Sequence, residues 1–217
     1  MADPWVQATP HLIQLPGVGV LTAMTILGAI GAISRFPGAK QLVSYAGLGV
    51  GVHASGETRR TSGITKEGRR DLRRVMVEAA WIAVGTHQHW KAVFVGLSQR
   101  IGSQKAIVAV ARKLLVAVWR VLTKQAADVH GDPALIARKF MSWAAQARLA
   151  RQTGVSRRSF VRRHLDTLGI GSDLVSIRFD GKDAPLPQLV STRTCRTARG
   201  PTCCIRTTSN VRGLPFS

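Results

Sequence analysis

The stretch that decides the fold is Leu15–Ile30, "LPGVGVLTAMTILGAI". Pro16 and Gly17 end a first helix that includes "HLIQ" (His11–Gln14), because proline removes a donor and glycine reaches backbone angles other residues avoid. Gly17 and Gly19 permit positive φ and close backbone approach. Leu21, Met24, Ile26, Leu27 and Ile30 then recur at helical spacing. The reading is helix, tight hairpin, helix. Such a hairpin exposes backbone amides near a helix start, and a phosphate oxygen can accept from them without reading base sequence. An ordinary Pro-Gly turn is the alternative.

Outward from this hairpin, a short helix is expected over Pro37–Tyr45, stopped by Gly47. From Gly47 to Ile64 the chain is rich in Gly, Ser and Thr and reads as a loop, with a short β-like piece near Val50–His53. A long amphipathic helix is expected from Thr65. Leu72, Val75, Met76, Ala79, Ala80 and Ala83 form its buried face, and Arg69, Arg70, Arg73 and Arg74 much of its exposed face. Further helices are expected over about His89–Arg100, from Ser103 as N-cap, from Asp132 as N-cap with Pro133 at the first helical position, and over "SRRSFVRRHLDTL" (Ser156–Leu168). Almost no strands are expected. Trp81, Trp90, Trp119 and Trp143 fall on apolar helix faces, as core or interface residues. The expected fold class is all-α: a helix-hairpin-helix, a multi-helix bundle and a disordered basic C-terminal tail. The expected divisions are 1–125, a helical extension over 126–180, and the tail over 181–217, whose composition gives little apolar surface to offset ordering entropy.

The chain has 217 residues, with 31 Lys+Arg against 11 Asp+Glu and a formal net charge of +20. Such an excess opposes compaction, so it points to a polyanionic partner, nucleic acid first and an anionic membrane surface second. No segment reads as a secretory signal or a membrane span. Cys195, Cys203 and Cys204 all lie in the tail, so a cytoplasmic location is the default. His87 and His89 stand one residue apart without Cys or carboxylate at ligand spacing, and no metal site is expected in this chain.

Two stretches carry candidate chemistry. "TKEGRRDLRR" (Thr65–Arg74) offers Lys66, Arg69, Arg70, Arg73 and Arg74 for phosphate binding, since each guanidinium is a planar fork of donors. A solvated face with Glu67 and Asp71 as local partners is the bland alternative. "HASGE" (His53–Glu57) holds Ser55 on a Gly-flanked loop, with His53 nearby and Arg59 and Arg60 following. A serine so placed can attack a phosphodiester if a base or metal activates it and cations stabilise the developing charge. Most loop serines only cap turns.

The ordered set PGVG, SRFPGAK, YAGL, SG, ITKEG and AIVAVARKLL resembles the C-terminal transposase domain of the IS110/IS116/IS902 insertion-sequence transposases. The resemblance covers residues 10–125 most fully and 130–180 weakly. It implies a DNA recombinase that mobilises an insertion sequence, with Ser55, beside Gly56, as the nucleophile forming a phosphoserine link. It also implies DNA and a structured guide RNA as partners, and multimeric action. Family members add an N-terminal RuvC-like domain with metal-binding acids; this sequence is expected to lack it, so a Mg ion is expected only with that domain, carried by a partner. The sequence departs from the pattern at Ala29 and Ala32, where relatives usually carry acids, and at Val50 and Gly51. A non-catalytic nucleic-acid-binding module, or an inactive remnant, is the alternative function.

Overall fold

The computed structural model of the chain describes residues 4–55 and 58–187. Cysteines 195, 203 and 204, Gly56, and most of the expected tail lie outside the described residues. The elements in chain order are α1 (Pro4–Ile13), α2 (Val20–Ile30), a 3-10 turn (Ile33–Arg35), α3 (Ala39–Tyr45), β1 (Val50–Ser55), β2 (Thr58–Ile64), α4 (Arg70–Thr86), α5 (Gln88–Ile101), α6 (Ser103–Lys124), α7 (Pro133–Gln146), α8 (Leu149–Thr153), α9 (Arg157–Leu168), β3 (Ser176–Phe179) and β4 (Lys182–Pro185). Helices dominate, as the periodicity requires.

The bundle forms around α6. Ile107, Val110, Ala111, Leu114, Leu115, Val118 and Val121 recur every three or four residues and are buried. They face α3, α4, α5 and α1. Trp119 Nε1 donates to the Phe36 carbonyl at 3.0 Å and anchors the "SRFPGAK" segment on α6.

The α1–α2 hairpin is tied to distant chain. Gln14 is buried; its Nε2 donates to the Ala126 carbonyl at 3.1 Å and its Oε1 accepts from the Asp128 amide at 3.0 Å. Gln14 thereby satisfies the backbone of the segment that follows α6. Lys139 Nζ donates to the Leu15 carbonyl at 2.6 Å. Gly17 has φ +77°, and a Cβ there would lie 2.0 Å from the Ala79 carbonyl oxygen of α4. Only glycine fits. Gly19 differs from expectation: its φ is −97°, and it stands in open space as the residue before α2. Leu21 and Met24 of α2 are exposed, while Ile26, Leu27 and Ile30 are buried.

Five further expectations change. Strands do occur, as two antiparallel hairpins, β1–β2 and β3–β4. Helix α4 starts at Arg70 rather than Thr65, because Lys66 (φ 57°) and Gly68 (φ 123°) leave helical space. Ser103 is the first helical residue of α6, with Gly102 before it. Trp81 is half-exposed against Phe94, whereas Trp90 is buried and Trp119 and Trp143 are half-buried. Asp132 caps α7 as expected, accepting from the Ala134 and Leu135 amides with Pro133 at the first turn. The chain beyond Asp180, expected as disordered tail, begins with β4, and Leu186 is buried.

Burial pushes the Lys139 ammonium down from 10.5 to about 7. Unfolding restores the ordinary value. Between about pH 7 and 10.5 the unfolded chain therefore binds a proton the folded chain has released, and stability rises with pH across that window. Lys139→Met should remove this rise: the gain in urea midpoint from pH 7 to pH 10 should be smaller than in the parent chain. An equal gain would show that Lys139 does not titrate there.

Candidate nucleic-acid interface

The β1–β2 hairpin carries the candidate serine. Backbone pairs run His53↔Arg60, Ala54↔Arg59 and Ser55↔Thr58, so Gly56 and Glu57 alone connect the strands. Register thus brings His53 and Arg60, seven residues apart in sequence, directly opposite one another. Ser55 stands at the last pair of the ladder, two residues from His53.

The base of this hairpin is clasped to the end of α3. The Thr65 amide donates to the Gly49 carbonyl at 2.9 Å, the Lys66 amide to Gly47 at 3.2 Å and the Arg69 amide to Tyr45 at 2.9 Å. The approach is close enough to exclude side chains. A Cβ on Gly68 would lie 2.3 Å from the Tyr45 carbonyl oxygen, and one on Gly47 2.5 Å from that of Glu67. Tyr45 reaches back through its hydroxyl, which donates to the Ala29 carbonyl at 3.1 Å, and its ring packs on Phe36 at 5.2 Å. The "YAGL" and "ITKEG" motifs are therefore two halves of one clasp. Sequence reading missed this because it continued the helix of "GRRDLRR" backwards into "TKEG".

The basic residues have different surroundings. Arg73 Nη1 donates to the carbonyls of Ala46 and Lys66, both at 3.1 Å, and holds the two halves of the clasp together. Arg69 forms a forked pair with Asp71, with Nε–Oδ1 at 3.0 Å and Nη2–Oδ2 at 2.6 Å. That pair and the Leu72 amide hold the Asp71 carboxyl down at about 2. Arg74 pairs with Glu78 at 3.0 Å on the exposed face. Arg70 and Lys66 are exposed and have no carboxylate partner among the described residues. The backbones of Arg59 and Arg60 lie on β2 beside the serine.

Gly17 and Gly19 sit away from this hairpin. They line a cavity of about 460 Å³ with Ile82, Leu135 and Lys139, between the α1–α2 turn and α7. Its walls are mostly apolar and ill-suited to phosphate. Gly19 is exposed, and its amide has no hydrogen-bond acceptor among the described residues. His87 and His89 serve the bundle: His87 Nε2 lies 2.8 Å from the His130 carbonyl oxygen, and His89 stacks on His130 at 3.6 Å. Among the described residues no group of three or more His, Cys, Asp or Glu is arranged to hold a metal ion. No described helix is long and apolar enough to cross a membrane.

Residues 10–95 match the family model described as transposase IS116/IS110/IS902 family. Over this segment the chain is similar to that family. The segment runs from α1 into α5 and contains the α1–α2 hairpin, the clasp and the β1–β2 hairpin. The chain is 33% identical over 116 residues to a transposase for insertion sequence element IS1111A from Coxiella burnetii, covering 52% of this chain and 32% of that protein. It is 38% identical over 73 residues to an IS110 uncharacterized 43.6 kDa protein from Streptomyces coelicolor, covering 34% and 18%. A pilin gene-inverting protein from Moraxella bovis is 33% identical over 114 residues, covering 51% and 35%. The chain spans about a third or less of the length of these relatives.

The two exposed-looking arginines of α4's first turn should separate on substitution. Arg73→Ala removes two charge-assisted hydrogen bonds across the clasp and should cost about 2–3 kcal/mol in urea denaturation. Arg70→Ala should stay within about 0.5 kcal/mol of the parent chain. Equal effects would contradict the clasp.

Proposed function

We propose that this chain is the serine-bearing, DNA-contacting portion of an insertion-sequence transposase or related DNA recombinase. The observation that carries this reading is the β1–β2 register, which sets Ser55 at the end of a ladder with His53 opposite Arg60. The family match and the transposase and gene-inverting names of the relatives support it.

The chemistry follows from those residue types. The Ser55 hydroxyl oxygen attacks a scissile phosphorus, and its proton passes to a base. The bond from phosphorus to the sugar oxygen breaks, and that oxygen takes up a proton. One phosphoester replaces another, so the linkage energy is retained and the step can reverse. His53, two residues along β1, is the candidate base, and Arg59 and Arg60, opposite Ala54 and His53 in the ladder, are the candidate cations for charge on the phosphoryl oxygens. The described residues do not fit a metal, so no step is assigned to one. A Mg ion and its acids belong with a RuvC-like domain supplied by a second chain or by a longer form of this one. Arg70, Lys66 and the Gly19 amide provide sequence-independent backbone contacts. A structured RNA guide and multimeric assembly complete the proposal.

In a complex with a RuvC-like partner and guide RNA, Ser55→Ala should abolish a covalent protein–DNA adduct on denaturing gels, while Thr58→Ala should retain it. Adduct formation by Ser55→Ala would overturn the nucleophile assignment.

A second reading, a nucleic-acid-binding module without catalysis, is favoured by the net charge of +20 and by exposed Arg70 and Lys66, which have no carboxylate partner among the described residues. It predicts DNA binding without an adduct. Its affinity should fall steeply with salt, about 10³-fold or more between roughly 50 and 200 mM if six phosphates are neutralised. A flat salt response would remove this reading.

A further inference from the structure

From Pro133 to Leu165 the chain carries eight Lys and Arg and no Asp or Glu. This run lies wholly outside residues 10–95. Folding turns two of its cations inward, Lys139 onto the Leu15 carbonyl and Arg162, and leaves the other six exposed. Arg162 turns inward: it is buried, pairs with Asp166 at 2.9 Å, and donates to the carbonyls of Gly171 at 3.0 Å and Leu174 at 3.4 Å. These bonds fix the turn after α9 and seat β3, where Ile177 is buried, against α7. Arg148, Arg151, Arg157, Arg158 and Arg163 remain exposed. None has an ion-pair partner among the described residues.

The β3–β4 hairpin faces two of these, Arg157 and Arg158, across a groove of about 640 Å³. Arg157 and Arg158 enter it from the start of α9, and Lys182 from β4. Met141 and Phe179 supply apolar lining, and Asp180 is the one carboxylate that lines it. Ser156 caps α9 by accepting from the Ser159 amide at 3.1 Å. The amides of Arg157 and Arg158 have no acceptor among the described residues. Unpaired guanidiniums from one element and an ammonium from another, on a buried and tied scaffold, suit consecutive phosphates of one polyanion.

We propose that the α9–β4 groove is a second DNA-backbone contact, made through Arg157, Arg158 and Lys182 and independent of the β1–β2 hairpin. The location rests on the groove; the choice of DNA as occupant rests on the recombinase reading above. Contact here would hold DNA on a part of the chain that the family match does not include.

The test is fluorescence anisotropy of the complete chain with a short DNA duplex, titrated across salt. The triple variant Arg157→Ala, Arg158→Ala, Lys182→Ala should make the slope of log affinity against log salt shallower by about 2–3, since each lost phosphate contact removes about 0.9. A control variant with the same charge loss on exposed α6 positions, Lys105→Ala, Arg112→Ala, Arg120→Ala, should keep the parent slope. Arg157→Lys with Arg158→Lys should keep most of it, and circular dichroism melting should confirm that each variant is folded. Equal slopes for the groove and control variants would overturn the proposal and leave the recombinase reading intact. So would a groove-dependent affinity for an RNA hairpin or anionic vesicles with DNA binding unaltered. No DNA binding by the parent chain, even at low salt, would overturn both.

Discussion

Backbone meets backbone where Gly17 rests on α4, and the rest of the architecture depends on that approach. A methyl group at residue 17 would collide with the Ala79 carbonyl. On the facing helix Ala79, Ala80 and Ala83 are all buried, so no long side chain holds the elements apart. The small residues let the α1–α2 turn and α6 pack on α4 together. Packing at that distance fixes the position of α4, and therefore where Arg73 meets the end of α3. The clasp at Gly47 and Gly68 and the hairpin above it inherit their position from this contact.

Much of the helical part was legible because its signals are local. Periodicity on α4 and α6, the Asp132–Pro133 start of α7 and the proline-glycine stop after α1 each act within a turn or two of chain. The hairpins were less legible. β1 and β2 are rich in Gly, Ser and Thr and lack strict alternation, so only a fragment near Val50–His53 read as extended. β3–β4 did carry a signal: Asp180-Gly181 between Phe179 and Lys182, with φ of 55° and 73°, is a two-residue hairpin turn. It was obscured by the composition of the tail that follows.

Charge alone could not sort the arginines. In sequence Arg69, Arg70, Arg73 and Arg74 are one run. In the fold one bonds carbonyls on both sides of a hairpin, two pair with nearby acids, and one has no ion-pair partner among the described residues. The same division recurs on α9, where Arg162 is internal and its neighbours are not. Carbonyl acceptors distant in sequence decide the outcome, and residue type does not encode them. The candidate serine was legible only through its neighbours in a family pattern; the ladder register adds which residues stand opposite it.

The β1–β2 ladder contains one irregularity. Between the pairs Val50↔Ile64 and Val52↔Thr61, β2 holds one residue more than β1. The surplus falls at Ser62-Gly63, the second Ser-Gly pair of the chain, where a glycine accommodates a bulge. Chain length at this point is therefore as consequential as residue identity. Deleting the surplus residue there would restore an unbroken ladder and keep every pair nearer the tip, whereas one residue fewer in β1 would slip those pairs by one position and reverse the alternation that Thr58–Thr61 present against β1. Outside Ser62-Gly63, the two strands should tolerate substitution far better than insertion or deletion.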